Sequence, residues 1–155
     1  MTETDPLTLA AYQAAAVTSD KGPQSPHGSL AFPLLGLFGE TGSLLSVAKK
    51  KQRDRTSYIG YGPALIEELG DVLWYLTIVA HRAGLALCDI ANNVNRSFSD
   101  WSTGDADRLQ FAELQAFPTV VQLVPTEAFE KTLLDLAAEV GVVLADFQAG
   151  RLDHN

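Results

Sequence analysis

Apolar residues recur at helical spacing along most of this chain, and turn-forming residues punctuate the recurrence. Leu7, Leu9, Ala10, Ala14 and Val17 predict a first helix over 7–18, with Asp5 and Pro6 as its start signal. Gly22, Pro23, Pro26 and Gly28 make 19–29 a loop. A second helix is predicted over 32–51, with Pro33 tolerated in its first turn. Its Leu34, Leu35, Leu37, Phe38, Leu44, Leu45, Val47 and Ala48 cover more than one face, so this helix is expected to be largely buried. Gly60, Gly62 and Pro63 mark 53–63 as a second loop. A third helix follows over 64–83 and stops near Gly84. A fourth is expected over 85–101, with Asp89, Asn92 and Asn93 near its start. The stretch 102–125 shows no period and carries Gly104, Pro118 and Pro125. Its apolar run at 119–124 has no second strand to pair with, which favours an extended connector over a strand. In the closing segment, 126–148, Thr126 caps a last helix over 127–147, with Glu130 near its first turn. Helix after helix with almost no strand pattern predicts an all-α bundle of four to five helices.

A length of 155 residues fits one domain with a sizeable core. Apolar residues make up 46% of the chain and charged residues 19%, the balance of a globular rather than a disordered protein. The net charge of −8 repels nucleic acid polymers and anionic membranes, so a nucleotide ligand would need a local cation. The acidic start, Met1-Thr2-Glu3-Thr4-Asp5, has no basic or apolar stretch, and no secretory signal is expected. The apolar run over 72–80 is interrupted by Thr77 and is too short to span a bilayer. Cys88, the single cysteine, cannot form an intramolecular disulfide, which fits a reducing cytoplasm.

Two segments carry chemistry. One is Gly36-Leu37-Phe38-Gly39-Glu40-Thr41-Gly42-Ser43, the other Glu67-Glu68-Leu69-Gly70-Asp71-Val72-Leu73-Trp74-Tyr75-Leu76. Residues three apart share a helix face, so Glu68 and Asp71 point the same way. Glu40 and Asp71 sit in or beside very apolar runs, where an acid is costly unless paired or coordinated. Three acids on two neighbouring helices would relieve one another around a hard cation such as Mg²⁺, with Mn²⁺ as a substitute. The alternative is an ordinary solvated face or salt-bridge partner, and Glu67 reads that way. Gly39, Gly42 and Gly70 each cost a helix about 1 kcal/mol relative to Ala, a cost that helix packing explains as readily as an active site does.

On these residues the chain resembles the MazG-like all-α nucleoside triphosphate pyrophosphohydrolases, relatives of the dimeric dUTPases and the phosphoribosyl-ATP pyrophosphohydrolases. That family carries an ExxE on one helix and an ExxD on the next. Glu68-Leu69-Gly70-Asp71 matches the second element, and the segment around Glu40 matches the first. Tyr12-Gln13 with Thr18 is similar to the family's opening, and Lys49-Lys50-Lys51 with Arg53-Asp54 to the close of its second helix. The likeness covers roughly residues 7–100, within the motif-bearing helices of 7–101. It implies that Glu40, Glu68 and Asp71 hold Mg²⁺ against a triphosphate, and that water attack releases nucleoside monophosphate and pyrophosphate. It also implies phosphate contacts from Lys49, Lys50 and Arg53 and a homodimer or higher homo-oligomer.

Two departures bear on that expectation. Ser43 stands where the second acid of the first pair would fall, which leaves open a slow, altered or inactive enzyme, or a nucleotide-binding protein without turnover. In the fourth helix, Asn95 and Arg96 are the candidates for further phosphate contacts, although the register differs from the family's. A helical interaction module with no nucleotide role is the third reading. Trp74 and Tyr75 read as core residues rather than as a base platform, and His81 and Cys88 as structural. The run Leu133-Leu134-Asp135-Leu136-Ala137-Ala138-Glu139-Val140-Gly141-Val142 parallels the second helix, with Glu139 opposite Glu40 and Val142 opposite Ser43, so the last helix reads as a degenerate repeat or a chance likeness.

Overall fold

The computed structural model describes residues 7–22, 30–96 and 126–152, and among them every regular element is helical. The order is α1 (Leu9–Ser19), α2 (Ala31–Asp54), a 3₁₀ turn (Arg55–Ser57), α3 (Tyr61–Arg82), α4 (Leu87–Arg96) and α5 (Glu127–Gln148). The predicted connector at 102–125 lies outside the described residues, as do Asp5, Pro6 and the last part of the predicted fourth helix.

Local chemistry sets several helix ends. α1 begins two residues later than predicted, because the Ala11 N–H donates to the Thr8 hydroxyl at 3.1 Å and makes Thr8 the cap. Thr126 caps α5 in the same way, accepting from the Phe129 N–H at 3.1 Å. Gly84 ends α3 in a left-handed conformation (φ 73°), with the Leu85 N–H on the Ala80 carbonyl at 2.8 Å and the Gly84 N–H on that of His81 at 3.0 Å. These are the paired bonds of a Schellman motif, and Gly150 repeats them after α5. The predicted loop at 53–63 is largely helical instead. α2 runs on to Asp54, and Gly62 and Pro63 fall in the first turn of α3, where amides have no intrahelical partner and proline loses nothing.

α2 is central. α3 packs along it most extensively, α5 docks on it as well, and α1 lies against α3 and α4. Leu37, Leu44, Val47 and Ala48 of α2 meet Tyr61, Leu65 and Val72 of α3 and Leu133 and Val140 of α5. A smaller cluster joins Leu9 of α1 to Leu87 and Cys88 of α4. Gly36 lets α3 close on α2, since a Cβ there would lie 2.0 Å from the Tyr75 ring. Trp74 donates from Nε1 to the Ser19 hydroxyl at 2.9 Å and meets Tyr75 edge-on; both are half-buried at helix contacts rather than in the core, where the sequence had placed them. Beside them Arg82 and Asp20 form an ion pair at 2.6 Å, each side chain under a tenth exposed. Gln13 spans the α3–α4 turn, donating to the Leu85 carbonyl and accepting from the Leu87 N–H.

The expectation that α2 is largely buried holds on one side only. Leu35 is 68% exposed and Phe38 50%, while Ile66 on α3 is 63% exposed. Apolar residues outnumber the sites that one bundle offers them. The segment 31–57 is also long and apolar enough to cross a bilayer by length and composition, although glycine, serine, threonine and Glu40 interrupt its apolar run. In this fold α3 and α5 pack on it, with Leu34, Leu37, Leu44, Val47 and Ala48 buried and Glu40 at mid-length.

Candidate metal centre and adjoining cleft

The buried stripes of α2 and α3 set the acids opposite one another. Leu37 and Leu44 stand three residues before and four after Glu40, and Leu65 and Val72 stand in the same relation to Glu68. All four leucine and valine side chains lie in the common core, so each glutamate emerges at the edge of the same seam. Asp71, one turn on from Glu68, completes the group. One carboxylate oxygen from each of Glu40, Glu68 and Asp71 lies within 4.8 Å of the other two. Glu40 and Glu68 are half-buried, Asp71 is exposed, and Glu67 faces solvent as expected.

The charges in this group oppose one another. Burial, and then the neighbouring charges of Glu40, Asp71 and Glu67, push the Glu68 carboxyl above the usual carboxylate range. Among the described residues no lysine, arginine or histidine makes an ion pair with any of the three acids. Three hard oxygen donors converging without a counter-cation are a donor set that suits Mg²⁺ or Mn²⁺. Tyr12 of α1 approaches the same group, and its phenol is pushed up by burial and, second, by the Asp71 charge.

A cleft of about 550 Å³ opens from Glu68 along α2, lined by Ser43, Ser46, Val47, Lys50 and Tyr58. Of the cations expected at the phosphates, Lys50 is the one that shares this cleft with an acid of the group. At about 100° per residue, Lys50 lies about 80° from Glu40 around α2, whereas Lys49 lies about 180° away and Arg53 about 140°. Arg53 is exposed and turned onto Asp54, with its Nε 2.6 Å from Oδ1. Asn95 and Arg96 close α4, and their side chains lie outside the described part of the chain. Ser43 faces the cleft, half-buried. Glu139 is exposed and belongs to no comparable acid group among the described residues.

Tyr58 is the cleft residue that the sequence left unmarked. It stands alone between the 3₁₀ turn and α3, outside any period, and only the fold sets it beside Lys50. Comparison of this chain with protein-family models, with curated proteins and with solved structures finds no match.

Proposed function

We propose that this protein is a Mg²⁺-dependent nucleoside triphosphate pyrophosphohydrolase of the MazG-like kind, acting in the cytoplasm as a homodimer. The observation that carries this reading is the convergence of Glu40, Glu68 and Asp71 to within 4.8 Å from two helices, with no cationic partner among the described residues. When bound, Mg²⁺ supplies positive charge to the triphosphate oxygens and stabilises charge that develops on the leaving group. Glu40, Glu68 and Asp71 would hold the cation at the edge of the seam. Asp71, the exposed member, takes the proton of the attacking water. The water oxygen bonds to the α-phosphorus, the bond from that phosphorus to its bridging oxygen breaks, and pyrophosphate leaves. Lys50 neutralises phosphate charge from the cleft. The exposed Leu35, Phe38 and Ile66 are the apolar surface that favours a second copy of the chain.

Pyrophosphate release from a panel of ribo- and deoxyribonucleoside triphosphates with Mg²⁺ tests the reading. Turnover that Glu68→Ala and Asp71→Ala abolish is expected; turnover that survives both substitutions, or none from any nucleotide, counts against the enzyme. Ser43 favours a second reading, a nucleotide-binding protein of the same fold without turnover. Mg²⁺-dependent nucleotide binding in the absence of hydrolysis supports it, and Ser43→Glu should then restore turnover if a missing acid is the reason.

A further inference from the structure

The acid group and the cleft form one continuous track along α2. Glu40, Ser43, Val47 and Lys50 follow at i, i+3, i+7 and i+10, which keeps them on one side of the helix. Ten residues of helix rise about 15 Å, the length of an extended nucleoside triphosphate rather than of a triphosphate alone. The cleft's volume of about 550 Å³ lies within the range of small-molecule sites, about 300–1,000 Å³. Its chemistry changes in order along the track. Carboxylates stand at one end, the hydroxyls of Ser43 and Ser46 in the middle, and an aromatic ring with a cation at the other end.

That far end is built for a planar group. The Tyr58 ring is half-buried and braced edge-on by Tyr61, with centroids 6.0 Å apart and planes at 63°. Tyr61 is itself in the core, so the brace is held. The ammonium of Lys50 lies 4.2 Å from the centroid of Tyr58, over the ring face. Lys50 is exposed and anchored by no ion pair among the described residues. A cation on a ring face marks a π surface that a base can occupy once the flexible lysine swings aside.

We infer that the cleft is a nucleoside subsite, in which the base stacks on Tyr58 and the sugar passes the Ser43 and Ser46 hydroxyls while the phosphates lie at the acid group. The inference rests on the proposed function, since it takes the acids as the phosphate end. It gives Ser43 a role of its own, as part of the wall beside the sugar.

Calorimetric titration of the full chain with Mg²⁺ separates the two ideas. The probes are inorganic tripolyphosphate and the hydrolysis-resistant α,β-methylene analogues of ATP, GTP, CTP and UTP. At least one analogue should bind more tightly than tripolyphosphate. Tyr58→Ala should weaken that analogue about tenfold, the scale of one base–aromatic stack, and leave tripolyphosphate within about twofold. Tyr58→Phe should retain the wild-type affinities. If Tyr58→Ala does not fold, Tyr58→Leu keeps the apolar bulk without the ring face and should behave as the Ala variant would. Analogue affinity unchanged in these variants overturns the subsite and leaves the phosphate end standing. Equal weakening of tripolyphosphate also overturns it, because Tyr58 would then act on the phosphates. No Mg²⁺-dependent binding of any probe removes both the subsite and the proposed function.

Discussion

Neutralising Glu68 should stabilise the metal-free protein. Each pair among Glu40, Glu68 and Asp71 lies within 4.8 Å, and Glu68 belongs to two of the three pairs. Two unit charges at that distance repel by about 0.9 kcal/mol in bulk water and about 3.5 kcal/mol at an effective dielectric constant near 20. The group is partly exposed, so the water figure is the safer guide. Screening over a Debye length of about 8 Å at physiological salt lowers it to about 0.5 kcal/mol per pair. Glu68→Gln should therefore add about 1 kcal/mol at physiological salt, and more at low salt. For a chain of this size that is a Tm rise of about 2–4 °C. The sign with pH follows from the raised Glu68 carboxyl. The folded state binds the proton more tightly than the unfolded state, so the metal-free wild type loses stability as pH rises from the ordinary glutamate value through the folded one. The advantage of the Gln variant should vanish below that window and be complete above it. The assay is thermal unfolding in EDTA at two salt concentrations and two pH values, repeated with Mg²⁺. Mg²⁺ should raise the wild-type Tm and raise that of the variant far less, because a ligand that binds only the folded state stabilises it. A Glu68→Gln protein that melts at or below the wild type in EDTA at low salt, with an undiminished Mg²⁺ response, would refute the electrostatic reasoning and the candidate cation site together.

Gly36→Ala should destabilise the fold by about 1–3 kcal/mol despite alanine's better helix propensity, because its Cβ would meet the Tyr75 ring at 2.0 Å; an unchanged urea midpoint would show that α3 yields freely. Asp20→Ala should cost about 1.5–3 kcal/mol near neutral pH, since it removes the charged hydrogen bonds that Arg82 makes to this carboxylate. Burial opposes the charge on Asp20, but the Arg82 and Gly22 hydrogen bonds outweigh it and hold the carboxyl below its usual range. Its stabilisation is present above the ordinary aspartate value and lost as pH falls through the folded one, so urea titrations of wild type and variant should converge in strong acid. Leu35→Glu combined with Phe38→Glu should reduce an oligomer to monomer in light scattering without lowering helix content, and an unaltered mass would place the subunit contact elsewhere.

The all-helical class was legible because its signals are local. Apolar spacing, the Thr126 cap and the Gly84 stop each act within one or two turns, and each works in the fold as its spacing implies. The pairing of Glu68 with Asp71 was legible for the same reason, since one helical turn relates them. Glu40 is different. Its nearness to those acids depends on α2 and α3 packing with Leu37 and Leu44 against Leu65 and Val72, and the sequence implied it only through the cost of burying lone acids and a likeness to other proteins. The basic run shows the limit most clearly. Lys49, Lys50 and Arg53 are equivalent in composition, yet their angles around α2 bring Lys50 alone of the three into the cleft.

By itself, then, the sequence determined most of the helical stretches, where several of them stop, and which acids share a turn, because backbone hydrogen bonds and caps close over a few residues. Only the tertiary structure decided which side of α2 is covered, that Leu35 and Phe38 remain open to solvent, and that Tyr58 and Lys50 stand across a cleft from Glu68. Those outcomes depend on the rotation and register of one helix against another, which are set by side-chain contacts between residues far apart in the chain.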